Sequence, residues 1–242
     1  MKTIGTILTL LAVSISPGLA SITVFDAVAD FGTASNPTGP WAYGHTDFLA
    51  YGVAGSIVLN DTFVTSGALN AWTYPAIDPQ FPHVLSSDTD DPVGTVNYQA
   101  DALALHPALG AGLGPGDTAV VRFVVPVTGL YNISYEFFAL DSATNGDGTL
   151  VSTGFLAGGM SGPPLVTTLG IVGPGLGASI FGGSTGTLLN AGDVYDFLVF
   201  RISDAAQDST GFRASFILVP EPGTYALVGL GLVGMALWRR RK

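Results

Sequence analysis

The chain has 242 residues, 33 of them glycine and 15 proline, and only 11% are charged. That composition suits one turn-rich β domain with its own core better than a helical enzyme. Its formal charge of −10 is segregated: Lys2 stands near one end and Arg239, Arg240, Arg241 and Lys242 at the other, while Ser21 to Glu221 sets three arginines against eighteen acids, a net −15 without lysine. Such a surface repels phosphates and excludes nucleic acid as a partner. The lack of cysteine excludes disulfides, thiolate catalysis, zinc–thiolate sites and iron–sulfur clusters.

In chain order, MKTIGTILTLLAVSISPGLA comes first. One cation, an apolar stretch from Ile4 to Ile15 and small residues at Gly18 and Ala20 form a secretory signal, with cleavage expected between Ala20 and Ser21. SITVFDAV, SIVLNDTFV, TVNYQ, DALAL, TLVSTGFLAG and PLVTTLG follow as short strand candidates. TAVVRFVVP (118–126) places Val121, Phe123 and Val125 on one face. GLYNISYEFFALD (129–141) alternates Tyr131, Ile133, Tyr135 and Phe137 with Asn132, Ser134, Glu136 and Phe138. Pro126 and Gly129 between these two runs predict a hairpin. DVYDFLVFRIS (193–203) sets Tyr195, Phe197, Val199 and Arg201 opposite Val194, Leu198, Phe200 and Ile202, with Asp196 where that second row is expected to reach solvent. FRASFILV (212–219) gathers Phe212, Ala214, Phe216 and Leu218. No capped helical period interrupts residues 21–218. Nine or ten short strands at this spacing predict an all-β fold: a single β-sandwich of jelly-roll type, with an immunoglobulin-like sandwich as the competing architecture.

Candidate chemistry is sparse. GGSTG (182–186) fits G-x-S-x-G with Ser184 as nucleophile, but His45, His83 and His106 all precede it, whereas the hydrolase order needs a histidine afterwards; Gly-Ser-Thr runs are common turn material, and a turn is expected here. GLGLVG (229–234) and GPGLGA (173–178) lack the βαβ context of a dinucleotide site. The histidines show no metal-ligand spacing and are expected on turns and surface. DSATNGDG (141–148) offers Asp141, Asn145 and Asp147 as oxygen ligands for calcium, and it also reads as an ordinary turn. SDTDDP, with Asp88, Asp90 and Asp91, is a second such loop. Trp41 and Tyr43 in NPTGPWAYGH and Trp72 in AWTYP either stack on sugar rings as a carbohydrate-binding surface or pack beneath long loops.

The last 24 residues, VPEPGTYALVGLGLVGMALWRRRK, combine Val219-Pro220-Glu221-Pro222, an uncharged run from Gly223 to Trp238 and the basic tail Arg239, Arg240, Arg241 and Lys242. As a helix the run is about 24 Å long. It is therefore expected as a slightly short transmembrane helix, with the cations fixing the cytoplasmic side. In motif, helix and basic cluster, this segment resembles the PEP-CTERM sorting signal of Gram-negative bacteria. NPTGPWAYG, ALALHP and the P-x-x-G-x-Y run at Pro126 to Tyr131 also resemble the β-sandwich members of that family. The resemblance implies export by the Sec machinery, a transient stay in the inner membrane, recognition by exosortase and release to the cell surface or extracellular matrix. The expected layout is a signal peptide at 1–20, a β-sandwich at 21–218 and the sorting signal at 219–242. A noncatalytic surface protein associated with exopolysaccharide, binding glycan or calcium and needing no other cofactor, is the expected function. The alternative is a secreted polysaccharide-acting hydrolase.

Overall fold

Alternating apolar and polar residues produce strands along the whole domain, because a period of two leaves each strand one face for the core and one for its surroundings. The computed structural model describes residues 22–46, 57–73, 82–108, 118–144, 146–158, 165–176, 180–202, 208–220 and 239. Thr23–Val219 form one compact unit. In the first half of the compact unit lie β1 (Thr23–Asp26), β2 (Trp41–Thr46), β3 (Val58–Leu59), β4 (Thr62–Ser66), β5 (Leu69–Thr73), β6 (His83–Ser87), β7 (Asp91–Val93) and β8 (Val96–Tyr98). The second half holds β9 (Leu103–His106), β10 (Thr118–Val124), β11 (Gly129–Ala139), β12 (Thr149–Leu156), β13 (Leu165–Val172), β14 (Ile180–Leu189), β15 (Val194–Arg201) and β16 (Thr210–Leu218).

These strands build two antiparallel sheets. One has the order β14-β11-β16-β9-β6-β5-β4, with β1 also paired to β16; the other runs β13-β12-β15-β10-β2-β3. From β9 onward the chain crosses between them at every connection except the β12–β13 hairpin, so that β14-β11-β16-β9 faces β13-β12-β15-β10. This is the double Greek-key order of an eight-stranded jelly roll, with β2 to β6 extending both sheets. The short β7–β8 pair stands outside both.

The core between the sheets is aromatic. Phe123 and Phe216 stack with ring centroids 3.9 Å apart, and Trp41 closes on Phe123 at 4.8 Å. Phe212 lies 4.8 Å from Phe197 and 5.0 Å from Phe137. Tyr131, Ile133, Phe137, Phe212, Ala214 and Phe216 all join this core, as their alternation predicted. A second, smaller cluster on the outer face of the first sheet gathers Ala71, Leu85, Ala104, Phe138 and Leu140, with Val96 and Tyr98 of β8 packed against it.

Three expectations are corrected. The segments 118–126 and 129–141 do not form a hairpin: β10 pairs with β15 and β2, whereas β11 pairs with β14 and β16. Both carry an apolar row meant for the same core, so the chain arches across from one sheet to the other. Tyr131 donates its hydroxyl hydrogen bond to the Val127 carbonyl at 2.7 Å and pins that arch. Asp196 does not reach solvent; it is fully buried and makes a two-pronged pair with Arg122, at 2.7 and 2.8 Å. The register of β10 on β15 places these two residues directly opposite each other.

The third correction concerns β14, whose Gly-Gly-Ser-Thr-Gly stretch suggested a turn. It is a ten-residue strand, and its glycines permit a close approach: a Cβ on Gly182 would fall 2.7 Å from the Tyr135 carbonyl oxygen. Ser184 therefore sits in mid-strand opposite Ser134, and no nucleophile elbow surrounds it. The signal segment, the cleavage pair Ala20 and Ser21 and the expected transmembrane helix fall outside the described residues.

Candidate functional site

β11 and β16 turn their inward rows to the aromatic core, so their alternate residues must face outward. The register pairs Ser134 with Ser215 and Glu136 with Arg213. With Asp26 at the end of β1, these four side chains line an open depression of about 310 Å³ on the outer face of the first sheet. Ser134 and Ser215 hydroxyls lie 2.8 Å apart and hydrogen-bond to each other. Asn132, the next outward residue of β11, is exposed.

Arg213 organises the floor. Its guanidinium donates to Glu136 at 2.5 Å, to Asp101 Oδ1 at 2.6 Å, to Gln99 Oε1 at 2.8 Å and to the Asp101 carbonyl at 2.9 Å. It also lies over the Phe138 ring, 4.6 Å from the centroid. Burial works against the guanidinium charge, but its hydrogen bonds to Glu136 and Asp101 outweigh that and hold the pKa above its ordinary value. Asp26 is also committed, since one of its oxygens accepts the Val28 and Ala29 amides at 2.9 Å each. The depression therefore presents fixed donors and acceptors on a rigid sheet, the equipment for hydrogen-bonding a polyhydroxylated ligand.

The aromatic residues expected to bind carbohydrate lie elsewhere. Trp41 and Tyr43 are completely buried and Trp72 nearly so. Trp41 packs on Phe123 and Phe216, Tyr43 on Phe31 and Trp72 on Phe63. The indole of Trp72 donates to the Gly32 carbonyl at 2.7 Å and that of Trp41 to Asp30 at 3.3 Å. Asn36 braces the same region, bonding the Tyr43 amide and carbonyl and the Asn60 carbonyl. With their faces covered by neighbouring rings, none of the three can stack on a sugar. The Pro- and Gly-rich stretch that suggested an exposed platform contains β2, which runs through the core.

Burial, and then the Asp30 carboxylate, push the Tyr43 phenol well above its ordinary value of 10.0. A raised phenol contributes stability that is complete below pH 10 and is lost as pH climbs from there toward the folded value. Tyr43→Phe is therefore expected to lose roughly 1 kcal/mol less stability than the wild type on going from pH 9 to pH 11. Urea denaturation at the two pH values checks this. Tyr98, Tyr131 and Tyr195 are raised as well, burial being the first cause in each, so the variant retains part of the alkaline loss.

The calcium candidates separate. Asp141 is buried, with one oxygen accepting the Thr95 hydroxyl at 2.7 Å and the other the Ser209 amide at 3.0 Å. Its carboxylate is thus used to fasten β11 to neighbouring loops. Asp147 is described, and Asn145 lies outside the described residues. In the second acidic loop, Asp88 accepts from Asn70 and Asp90 from the Ala100 amide, and Asp91 opens β7. Among the described residues no group of three potential metal ligands comes together.

The histidines are not on turns. His45 is buried and hydrogen-bonds Asn60 at 2.7 Å. His83 and His106 stack face to face across β6 and β9, 5.1 Å apart. Of the sorting residues, Val219, Pro220 and Arg239 are described, whereas Glu221, Pro222, Arg240, Arg241 and Lys242 are not. Among the described residues no helix is long and apolar enough to cross a membrane.

No curated protein matches the chain. Among solved structures it is similar to the K3 adhesin domain of Lys-gingipain from Porphyromonas gingivalis, at 9% identity over 65% of this chain and 100% of that one, with a TM-score of 0.38. It is also similar to TmCBM61, solved with β-1,4-galactotriose, at 10% identity over 76% and 90% of the two chains and a TM-score of 0.34. The CBM22-1 xylan-binding domain of Paenibacillus barcinonensis Xyn10C shares 9% identity over 73% of this chain and 91% of that domain, with a TM-score of 0.32. The C-terminal segment gives the specific match: residues 218–242 are a PEP-CTERM protein-sorting motif, which implies recognition by exosortase, export, and membrane anchoring before processing.

Proposed function

We propose that the protein is an exported, noncatalytic surface or extracellular-matrix protein whose sandwich associates with exopolysaccharide through the outer-face depression. In this reading the N-terminal segment directs the chain to the Sec machinery. Residues 223–238 then hold it in the inner membrane until exosortase processes it near the Pro-Glu-Pro motif, and the domain passes to the cell surface. The observation that carries the glycan reading is the open polar floor formed by Ser134, Ser215, Glu136 and Arg213. Its hydroxyls are accessible, and its carboxylates are already engaged by a guanidinium or by backbone amides. A carboxylate held in this way is poorly placed to act as general acid or nucleophile on a glycosidic bond.

Retention of the mature protein on purified exopolysaccharide tests the proposal. A Ser134→Leu/Ser215→Leu pair removes both hydroxyls from the floor without touching the core. It is expected to weaken retention roughly tenfold or more, as losing two or so hydrogen bonds of about 1 kcal/mol each requires. Unchanged retention removes the depression as the binding surface. Release of sugars from a glycan panel would overturn the noncatalytic reading.

A further inference from the structure

The outward rows of the first sheet change character toward the end at which β16 leaves it. Val24 of β1 pairs with Ile217 of β16, which in turn pairs with Asn132 of β11. In the next row Leu130 pairs with Leu188 of β14, and the Val219 amide donates to the Leu130 carbonyl at 2.8 Å. Val24, Leu130 and Leu188 are exposed by 50, 46 and 70%, and Ile217 and Val219 are half-buried between them. These rows span four strands and contain no charged residue, although the exported region carries fifteen more negative than positive charges. An exposed apolar group of this kind marks an interaction surface.

Chain connectivity identifies what meets it. Only residues 220–222 separate Val219 from the uncharged run 223–238. Fully extended, three residues reach about 11 Å, and the headgroup layer on each side of a bilayer is about 5–8 Å deep. As a helix the run is about 24 Å long, shorter than the roughly 30 Å hydrocarbon core, so the tether is drawn inward. We propose that the apolar end of this face is a lipid-docking surface, seated in the headgroup layer while residues 223–238 anchor the chain. The proposal rests on the reading that this segment crosses the membrane. It also gives the docked domain a task, because Pro220-Glu221-Pro222 is then held at the membrane surface, within reach of a membrane enzyme.

The chain has no cysteine, so single labels can be placed cleanly. Full-length protein carrying Leu188→Cys, or in a second preparation Val24→Cys, is labelled with an environment-sensitive fluorophore. It is then reconstituted in phosphatidylethanolamine/phosphatidylglycerol vesicles containing a headgroup-level quencher lipid. Thr144→Cys, at an exposed position beyond the far end of β11 and about 30 Å away at 3.3 Å per residue, serves as the reference. At least twofold stronger quenching at both patch positions than at Thr144 is expected. Equal quenching at all three positions overturns the docking surface while leaving the anchor intact. Label–label contact at Leu188 without lipid quenching reassigns the face to a second copy of the chain and equally overturns it. Protein that fails to float with the vesicles removes the anchoring reading, and the proposal with it.

Discussion

Trp41→Ala is expected to destabilise the domain by about 3–5 kcal/mol, the range for truncating a large aromatic inside a packed core. Trp41 has no exposed surface; it packs against Phe123, opposite it on the neighbouring strand of its own sheet, and against the edge of Phe216 on the other sheet. Its removal leaves a cavity where the two sheets are held together, and its indole bond to Asp30 is lost as well. Against a total stability of about 5–15 kcal/mol for a domain, this is a large fraction. Chemical denaturation of the variant is the measurement, and a loss below about 1 kcal/mol would contradict the burial. Any loss of glycan retention in this variant follows from unfolding and says nothing of sugar stacking. That is why the binding test uses Ser134 and Ser215 instead.

Asp196→Ala is expected to cost a similar amount, about 3–5 kcal/mol, for an electrostatic reason. The Arg122 side chain is only 14% exposed and that of Asp196 is fully buried, so deleting the carboxylate takes two charge-assisted hydrogen bonds from a largely buried guanidinium. Replacing both partners gives the opposite result. An Arg122→Met/Asp196→Leu pair restores most of the lost stability, because neither buried charge then needs compensation. The double-mutant cycle in urea measures the difference. Additive losses in the pair would mean that the two residues stabilise the domain independently of each other.

Much of the strand content was legible because alternation is a local signal. The rows Tyr131-Ile133-Phe137 and Phe212-Ala214-Phe216 could be assigned a core-facing side from the sequence, and the structure places them in the core. Which strand pairs with which is a long-range property. Pro126 and Gly129 show that the chain turns after β10, but the same residues serve a hairpin and an arch between sheets. The sign of Asp196 could not be read alone, because its burial depends on Arg122, far away in sequence and opposite only through the register of β10 on β15. Strands rich in Gly or flanked by Pro, such as β14 and β2, were hidden because propensity describes residues in isolation, whereas β14 owes its place to how closely a glycine strand can approach β11.

The candidate site shows the same division. Ser134, Glu136, Arg213 and Ser215 were each visible as the polar half of an alternating strand. Nothing local said that the two polar halves lie side by side, because that follows only from the register of β11 on β16. The sorting motif was fully legible, because it is a contiguous string read in order and needs no tertiary partner.

The position of β16 has a bearing on export. It is the last strand of the domain, yet it lies inside the first sheet, pairing with β11 on one side and with β9 and β1 on the other. A chain threaded across a membrane with its N-terminus leading cannot complete this sheet until nearly all of the domain has emerged. Contacts this distant in sequence also form slowly. If the chain is exported in the way proposed above, this topology keeps the domain open until β16 has crossed, and the sandwich closes only as the sorting segment reaches the membrane.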